Sequence, residues 1–262
     1  MDCGGNSMFR LSSIFRDPHE EYLIIPAIRD FFRREGIKYT ASWDKEKMLS
    51  IIEEYAKSDQ KAEECTLEWL DNILLEGIKE IQIEYRNLKN ETELLFDSKD
   101  RISSHLDTYL TPGIKRHICG NNYLNDQYQF VRYKLEDGNH GIVARMYFCK
   151  KMHFAENKSG VLTVKAVDYP IIAEYYFEQS WLCLRYKART GLYHFKESGY
   201  DASSVRISTA AQVNEIVKRV ENILGLEVLS KDQTSHQIRE KLFILLDRYT
   251  HTLQEILNAM EI

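Results

Sequence analysis

Apolar residues recur every three to four positions along the first third of the chain, and every second position between about residue 127 and residue 196. The first period is that of a helix buried on one side, and the second is that of a strand in a sheet. Asp17-Pro18-His19-Glu20 reads as a helix start, with Asp17 as cap, Pro18 in the first turn and Glu20 completing a capping box. The helix should run to about Glu35 on a stripe of Tyr22, Ile25, Ile28 and Phe32, with Gly36 as a left-handed stop. Arg29, Arg33 and Arg34 near its end suit the negative pole of the helix dipole. Ser42 is expected to cap a second helix through Met48, Leu49, Ile51, Ile52 and Tyr55. A third should span about Gln60 to Glu76, with Cys65, Trp69, Leu70, Ile73 and Leu74 inward and Glu63, Glu64, Glu68 and Asp71 outward.

After Gly77 the period falls to two. Ile81, Ile83 and Tyr85 alternate with Gln82, Glu84 and Arg86, which predicts a strand. Asn87 to Asn90 then turns the chain into a segment around Glu93 to Phe96 that fits strand or helix. Ser98 should cap a short helix through Tyr109, and residues 114–126 are a loop by composition. Strands are expected at Phe130 to Leu135, Ile142 to Phe154 and Val161 to Val167, with three more inside Ile171 to Lys196 joined at Gln179-Ser180 and Thr190-Gly191. Successive strands with short turns imply an antiparallel sheet or partial barrel. Ser208 or Thr209 should open a helix that Gly225 ends. Thr234 and Gln237 open a last helix to about Met260. Its apolar positions Ile238, Leu242, Leu245, Tyr249, Leu253 and Ile256 form a near-heptad seam, suited to lying on the sheet or to pairing two copies through residues 235–260.

The expected fold class is therefore α+β: an acidic helical N-terminal domain at 1–76, then an antiparallel sheet domain at 77–262 backed by two C-terminal helices. A hydrophobic content of 44% with 29% charged residues belongs to a folded chain rather than a disordered one. No run approaches the roughly 18 to 20 apolar residues of a membrane helix, and the first residues lack a basic-then-apolar leader. The expected compartment is the cytoplasm, with no membrane partner. The five irregularly spaced cysteines do not make a disulfide framework.

Charge changes the picture more than composition does. The net charge is -5, but residues 1–100 carry 14 basic and 22 acidic side chains, 101–200 carry 14 and 9, and 201–262 carry 7 and 9. Only the strand-rich third is positive. In Trp181 to Arg189, Leu182, Leu184, Tyr186 and Ala188 share one strand face while Arg185, Lys187 and Arg189 share the other. Arg132 and Lys134 share a face of the Phe130 strand, Arg145 sits in the next strand, and Lys150 and Lys151 follow. If these faces adjoin, the sheet presents a basic stripe dotted with aromatic side chains, and Arg132, Lys134, Arg145, Arg185, Lys187 and Arg189 are its candidate contacts. Such a stripe suits phosphates and stacked bases or a protein partner. It is also the ordinary wet side of an antiparallel sheet.

Catalytic signatures are weak. His117 and Cys119 in the irregular loop, with Cys149 and His153 beyond, have the residue types of a zinc set, but Cys149 and His153 lie about 13 Å apart along an extended strand at ~3.3 Å per residue. Cys119 followed by Gly120-Asn121-Asn122 is the one cysteine in an open context, without an elbow motif around it. The strand carboxylates Asp168 and Glu174 are expected to lack the nearby lysine that a metal-dependent nuclease core places beside them, and phosphate-loop and dinucleotide patterns are absent. The reading is a non-enzymatic binding module for nucleic acid or a protein partner, within a larger assembly and without a cofactor or metal. The alternatives are an enzyme using the Cys119/His117 loop and a protein that self-associates through its last helix.

Overall fold

The computed structural model describes residues 9–16, 22–76, 80–89, 96–111, 127–138, 141–158, 161–188, 192–193 and 206–227, with backbone alone at 153–158, 161–165, 192–193 and 206–207. The chain is α+β. Helices α1 (Ser13–Arg16), α2 (Ile25–Arg34), α3 (Lys45–Ala56) and α4 (Gln60–Glu76) precede the sheet. Strands β1 (Glu80–Tyr85) and β2 (Asn87–Leu88) and helix α5 (Lys99–Asp107) follow. Then come β3 (Gln129–Gly138), β4 (Gly141–Lys158), β5 (Val161–Tyr176), β6 (Trp181–Tyr186), β7 (Leu192–Tyr193), β8 (Arg206–Ile207), α6 (Thr209–Leu224) and β9 (Leu226–Glu227). The main sheet runs β1-β6-β5-β4-β7-β8, with β3 paired to the first half of β4, and all its pairings are antiparallel. Its described edges are β1 on one side and β3 and β8 on the other, and β2 and β9 form a separate two-stranded ribbon.

Two cores share this sheet. On one face Ala144, Met146, Phe148, Ile171, Ala173, Tyr175, Leu182 and Leu184 pack under α5 and α6 through Ile102, Leu106, Val213, Ile216 and Val220. On the other face Val131, Tyr147, Cys149 and Ile172 pack under α1 to α4, against Ile14, Phe15, Phe31, Phe32, Leu49, Ile52, Leu70 and Leu74 among others. Phe31 stacks on Trp69 with ring centroids 4.2 Å apart, which joins α2 to α4.

Local chemistry explains most element ends, and three expectations need correction. The first long helix starts at Ile25, with residues 22–24 outside it, because Pro26 occupies the first turn, where its missing N–H costs nothing. The expected cap at Asp17 lies outside the described residues. The helix ends as expected at Gly36, which has φ 68°; Ile37 N–H donates to the Phe32 carbonyl at 2.8 Å, closing a Schellman motif. The cap of α3 is Asp44 rather than Ser42, accepting from Lys47 N–H at 2.7 Å. Ser208 caps α6 by accepting from Ala211 N–H at 3.1 Å, and Gly225 ends it at φ 62°. The strands expected at Val161 and Ile171 are one strand, β5. Pro170 does not break it, because the bonding side it leaves empty faces beyond the last β5–β6 pair, Ile172 with Arg185. The segment around Glu93, the loop at 114–126 and the expected helix at 235–260 fall wholly or mainly outside the described residues.

Candidate binding face of the sheet

Strand register decides which basic residues meet. Pairing across β3, β4, β5, β6 and β1 sets Lys134, Arg145, Glu174, Cys183 and Ile83 in one row, and Arg132, Tyr147, Ile172, Arg185 and Ile81 in the next. A third row holds Glu136, Val143, Tyr176, Trp181 and Tyr85. All three rows lie on the face that α1 to α4 partly cover. Four of the six expected contacts, Arg132, Lys134, Arg145 and Arg185, thus lie together on one face.

They are not arranged as a bare cationic stripe. Asp71 of α4, expected to point outward, is buried with 2% of its side chain exposed; Arg132 Nη2 lies 2.8 Å and Lys134 Nζ 3.0 Å from its Oδ2. Glu174, near the C-terminal end of β5, is equally buried. It accepts from Arg145 Nε at 3.0 Å on one oxygen and from Arg185 Nε on the other. Arg145 also reaches Glu136 at 2.7 Å. Four cations therefore share three carboxylates, two of them buried, a layout that satisfies buried charge by pairing. Arg132 additionally lies over the Tyr147 ring, 5.8 Å from its centroid.

The other expected residues stand apart from this network. Lys187, past the end of β6, lies over the ring of Tyr22, 5.2 Å from its centroid, tying the sheet to the helical layer. Arg189 lies outside the described residues. Lys150 belongs to the opposite face, where it is buried beside the Tyr128 ring at 4.2 Å and lies 3.5 Å from Glu215 of α6. The half-buried Tyr176 and Trp181 border the charged rows.

A second polar cluster fastens the N-terminal segment. Buried Ser12 donates to Asp168, and Ser13 Oγ approaches the same oxygen at 3.4 Å. Burial raises the Asp168 pKa, while the serine hydroxyls and the charge of Lys151 pull the other way. Lys151 stands opposite Asp168 across β4 and β5, a neighbour that sequence distance concealed. Asp168 and Glu174 are six residues apart on one strand, about 20 Å at ~3.3 Å per residue, and cannot serve one ion. Among the described residues no group of three or more His, Cys, Asp and Glu side chains is placed to hold a metal ion. Burial, with the charge of Glu174 beside it, pushes the Cys183 thiol up to about 11, so it is protonated at neutral pH and a poor nucleophile. His117 and Cys119 lie outside the described residues, as does the side chain of His153. No described helix is long and apolar enough to cross a membrane.

Sequence reasoning names both carboxylates that organise the face but misses their burial and pairing. Asp71 sits between Leu70 and the Ile73-Leu74 pair, inside the apolar stripe of α4, and Glu174 interrupts the most apolar stretch of β5. An acid at such a position is the available signal for a buried pairing. Comparison of this chain with family models, with characterised proteins and with solved structures finds no match.

Proposed function

We propose that this chain is a non-enzymatic binding module that takes a protein partner on the Glu174 face of its sheet, as a component of a larger assembly. The observation that carries the reading is the commitment of the face's cations to carboxylates, beside the half-buried aromatics Tyr176 and Trp181. A phosphate backbone would have to draw these cations away from Asp71 and Glu174. Leaving a buried carboxylate without its partner costs about 3–5 kcal/mol, or roughly two to four orders of magnitude in affinity. That penalty disfavours nucleic acid as the ligand. A protein surface can add hydrogen bonds to the exposed edges of the paired groups and bury the aromatics without breaking the pairs, which is how interface cores combine aromatic anchors with a satisfied polar rim.

The test is capture from nuclease-treated cell extract, read by quantitative mass spectrometry, with wild type, Trp181→Ala and Lys187→Ala in parallel. One set of proteins should be retained by wild type and lost with both variants, each keeping the wild-type melting temperature within a few degrees. Retention unaffected by either substitution, or loss only in step with unfolding, overturns the reading.

A further inference from the structure

We propose that β1 is an open strand edge that accepts an extended segment of the partner protein as an added antiparallel strand, with apolar residues beside Ile81 and Ile83 and basic residues on the opposite side. This deepens the reading above and rests on the partner's being a protein. Arg86 N–H donates to the Ser180 carbonyl at 2.9 Å, just past the Tyr85 and Trp181 pair, which sets the phase of the β1–β6 ladder. Even-numbered residues of β1 therefore bond to β6. The N–H and C=O groups of Ile81 and Ile83 point away from the sheet, and no strand lies beyond them among the described residues. Both side chains are exposed, Ile81 at 55% and Ile83 at 62%, and both are on the candidate binding face. The strand has no lysine, proline or bulge of the kind that protects a sheet edge.

The usable ladder is short. The Tyr85 carbonyl already accepts from Arg86 Nη1 at 2.9 Å, which leaves the four outward groups of Ile81 and Ile83. On the other side of β1 stand Glu80, Gln82 and Glu84; Glu84 is paired with Arg86, which leaves Glu80 as the acid open to an added strand. An added strand that alternates valine-like and lysine-like residues sets apolar against Ile81 and Ile83, and positive against Glu80, the pairings that stabilise neighbouring strands. A second copy of this chain fits less well. The self-pairing that uses all four groups is centred on Gln82 and sets Glu80 of each copy opposite Glu84 of the other, whose cation Arg86 is shared with Glu221, so Glu80 meets no opposite charge there.

The full-length chain can be titrated into a fluorescein-labelled Lys-Val-Lys-Val-Lys-Val-Lys peptide, capped at both ends, with binding followed by anisotropy. The controls are the same backbone with Glu in place of Lys, and the Lys/Val peptide N-methylated at its valines, which keeps the charge and removes the donors facing β1. Wild type should bind the parent peptide at least tenfold more tightly than either control. Ile83→Pro removes one outward N–H and no bond to β6, and should weaken binding of the parent peptide at least tenfold. If that variant melts early, the double substitution Ile81→Lys with Ile83→Lys keeps the backbone and should lose binding through charge repulsion. Equal affinity for parent and N-methylated peptides, no binding of either, or binding indifferent to both variants overturns the inference. So does a wild-type dimer in sedimentation that Ile83→Pro dissolves, since that assigns the edge to a second copy. Capture dependent on Trp181 and Lys187 reads the wider face separately, so loss of the strand inference leaves that result standing.

Discussion

Asp71 and Glu174 show how a single buried acid changes what a basic residue means. Each pairs with two cations whose sequence spacing suggests a surface stripe, and Asp71 does so from a helix while the cations sit in a strand. Asp71→Asn keeps the shape and removes the charge, leaving Arg132 and Lys134 part-buried without their counter-ion. It should lower stability by about 2–4 kcal/mol, at the lower side of the usual range because both cations retain some exposure. Urea unfolding with an unchanged slope measures it. Asp168 supplies a pH dependence of opposite sign to the common carboxylate case. Its folded pKa is raised by burial, so the folded state holds the proton more tightly than the unfolded chain. Its contribution is full below the unfolded carboxylate value of about 4 and declines as pH rises through the raised folded value. Asp168→Asn keeps an acceptor for Ser12 and loses the titration. The stability of the variant relative to wild type should therefore rise between about pH 4 and pH 7, measured by thermal melts across that range. Charge sign by region was legible in the sequence, but pairing was not. An outward Asp71 suits a helix packed against one neighbour, which buries a narrow stripe, whereas α4 meets both the other helices and the sheet and buries a wider arc.

Among the elements, what could be read early was whatever short-range chemistry controls. Gly36, Ser208 and Gly225 terminate helices where their backbone and side-chain chemistry says they should. The helix at Gln60–Glu76 has the expected bounds. Pro26 places the start of α2, because its ring belongs in a first turn, a limit that the apolar period alone does not show. The strands expected at Val161 to Val167 and from Ile171 are one, and Pro170 fits within it because it stands where the neighbouring strand has ended. Tertiary register, invisible in local sequence, decided the second case. Gly36→Ala tests the Schellman end. At φ 68° an added Cβ meets no neighbour within 4 Å, so the cost is conformational and should be about 1–2 kcal/mol, visible as a fall in melting temperature with no change in binding.

For the whole molecule, one sheet carries two cores. The division expected at residue 76 falls at the end of α4, and residues 77–79 are outside the described structure. Since Val131, Tyr147, Cys149 and Ile172 pack with the N-terminal helices while their strand neighbours pack on the other face, loss of either core should weaken the other. Heat unfolding followed by near-UV and far-UV circular dichroism should give one coincident transition. Phe31→Ala, beneath the N-terminal helices, and Phe148→Ala, on the opposite face, should each lower that whole transition rather than part of it. Two separated transitions would mean that the helical unit folds by itself.

The same arrangement bears on the ligand, because Arg132, Lys134, Arg145 and Arg185 are paired with Asp71 and Glu174. The most direct test is fluorescence anisotropy of the purified chain with labelled RNA, single-stranded DNA and double-stranded DNA across a salt series. A face whose cations are already paired should show only weak binding with little salt dependence. An affinity that falls steeply with salt, with a slope corresponding to several phosphate contacts, and that is lost in Arg132→Ala or Arg185→Ala variants of unchanged fold, would contradict this account.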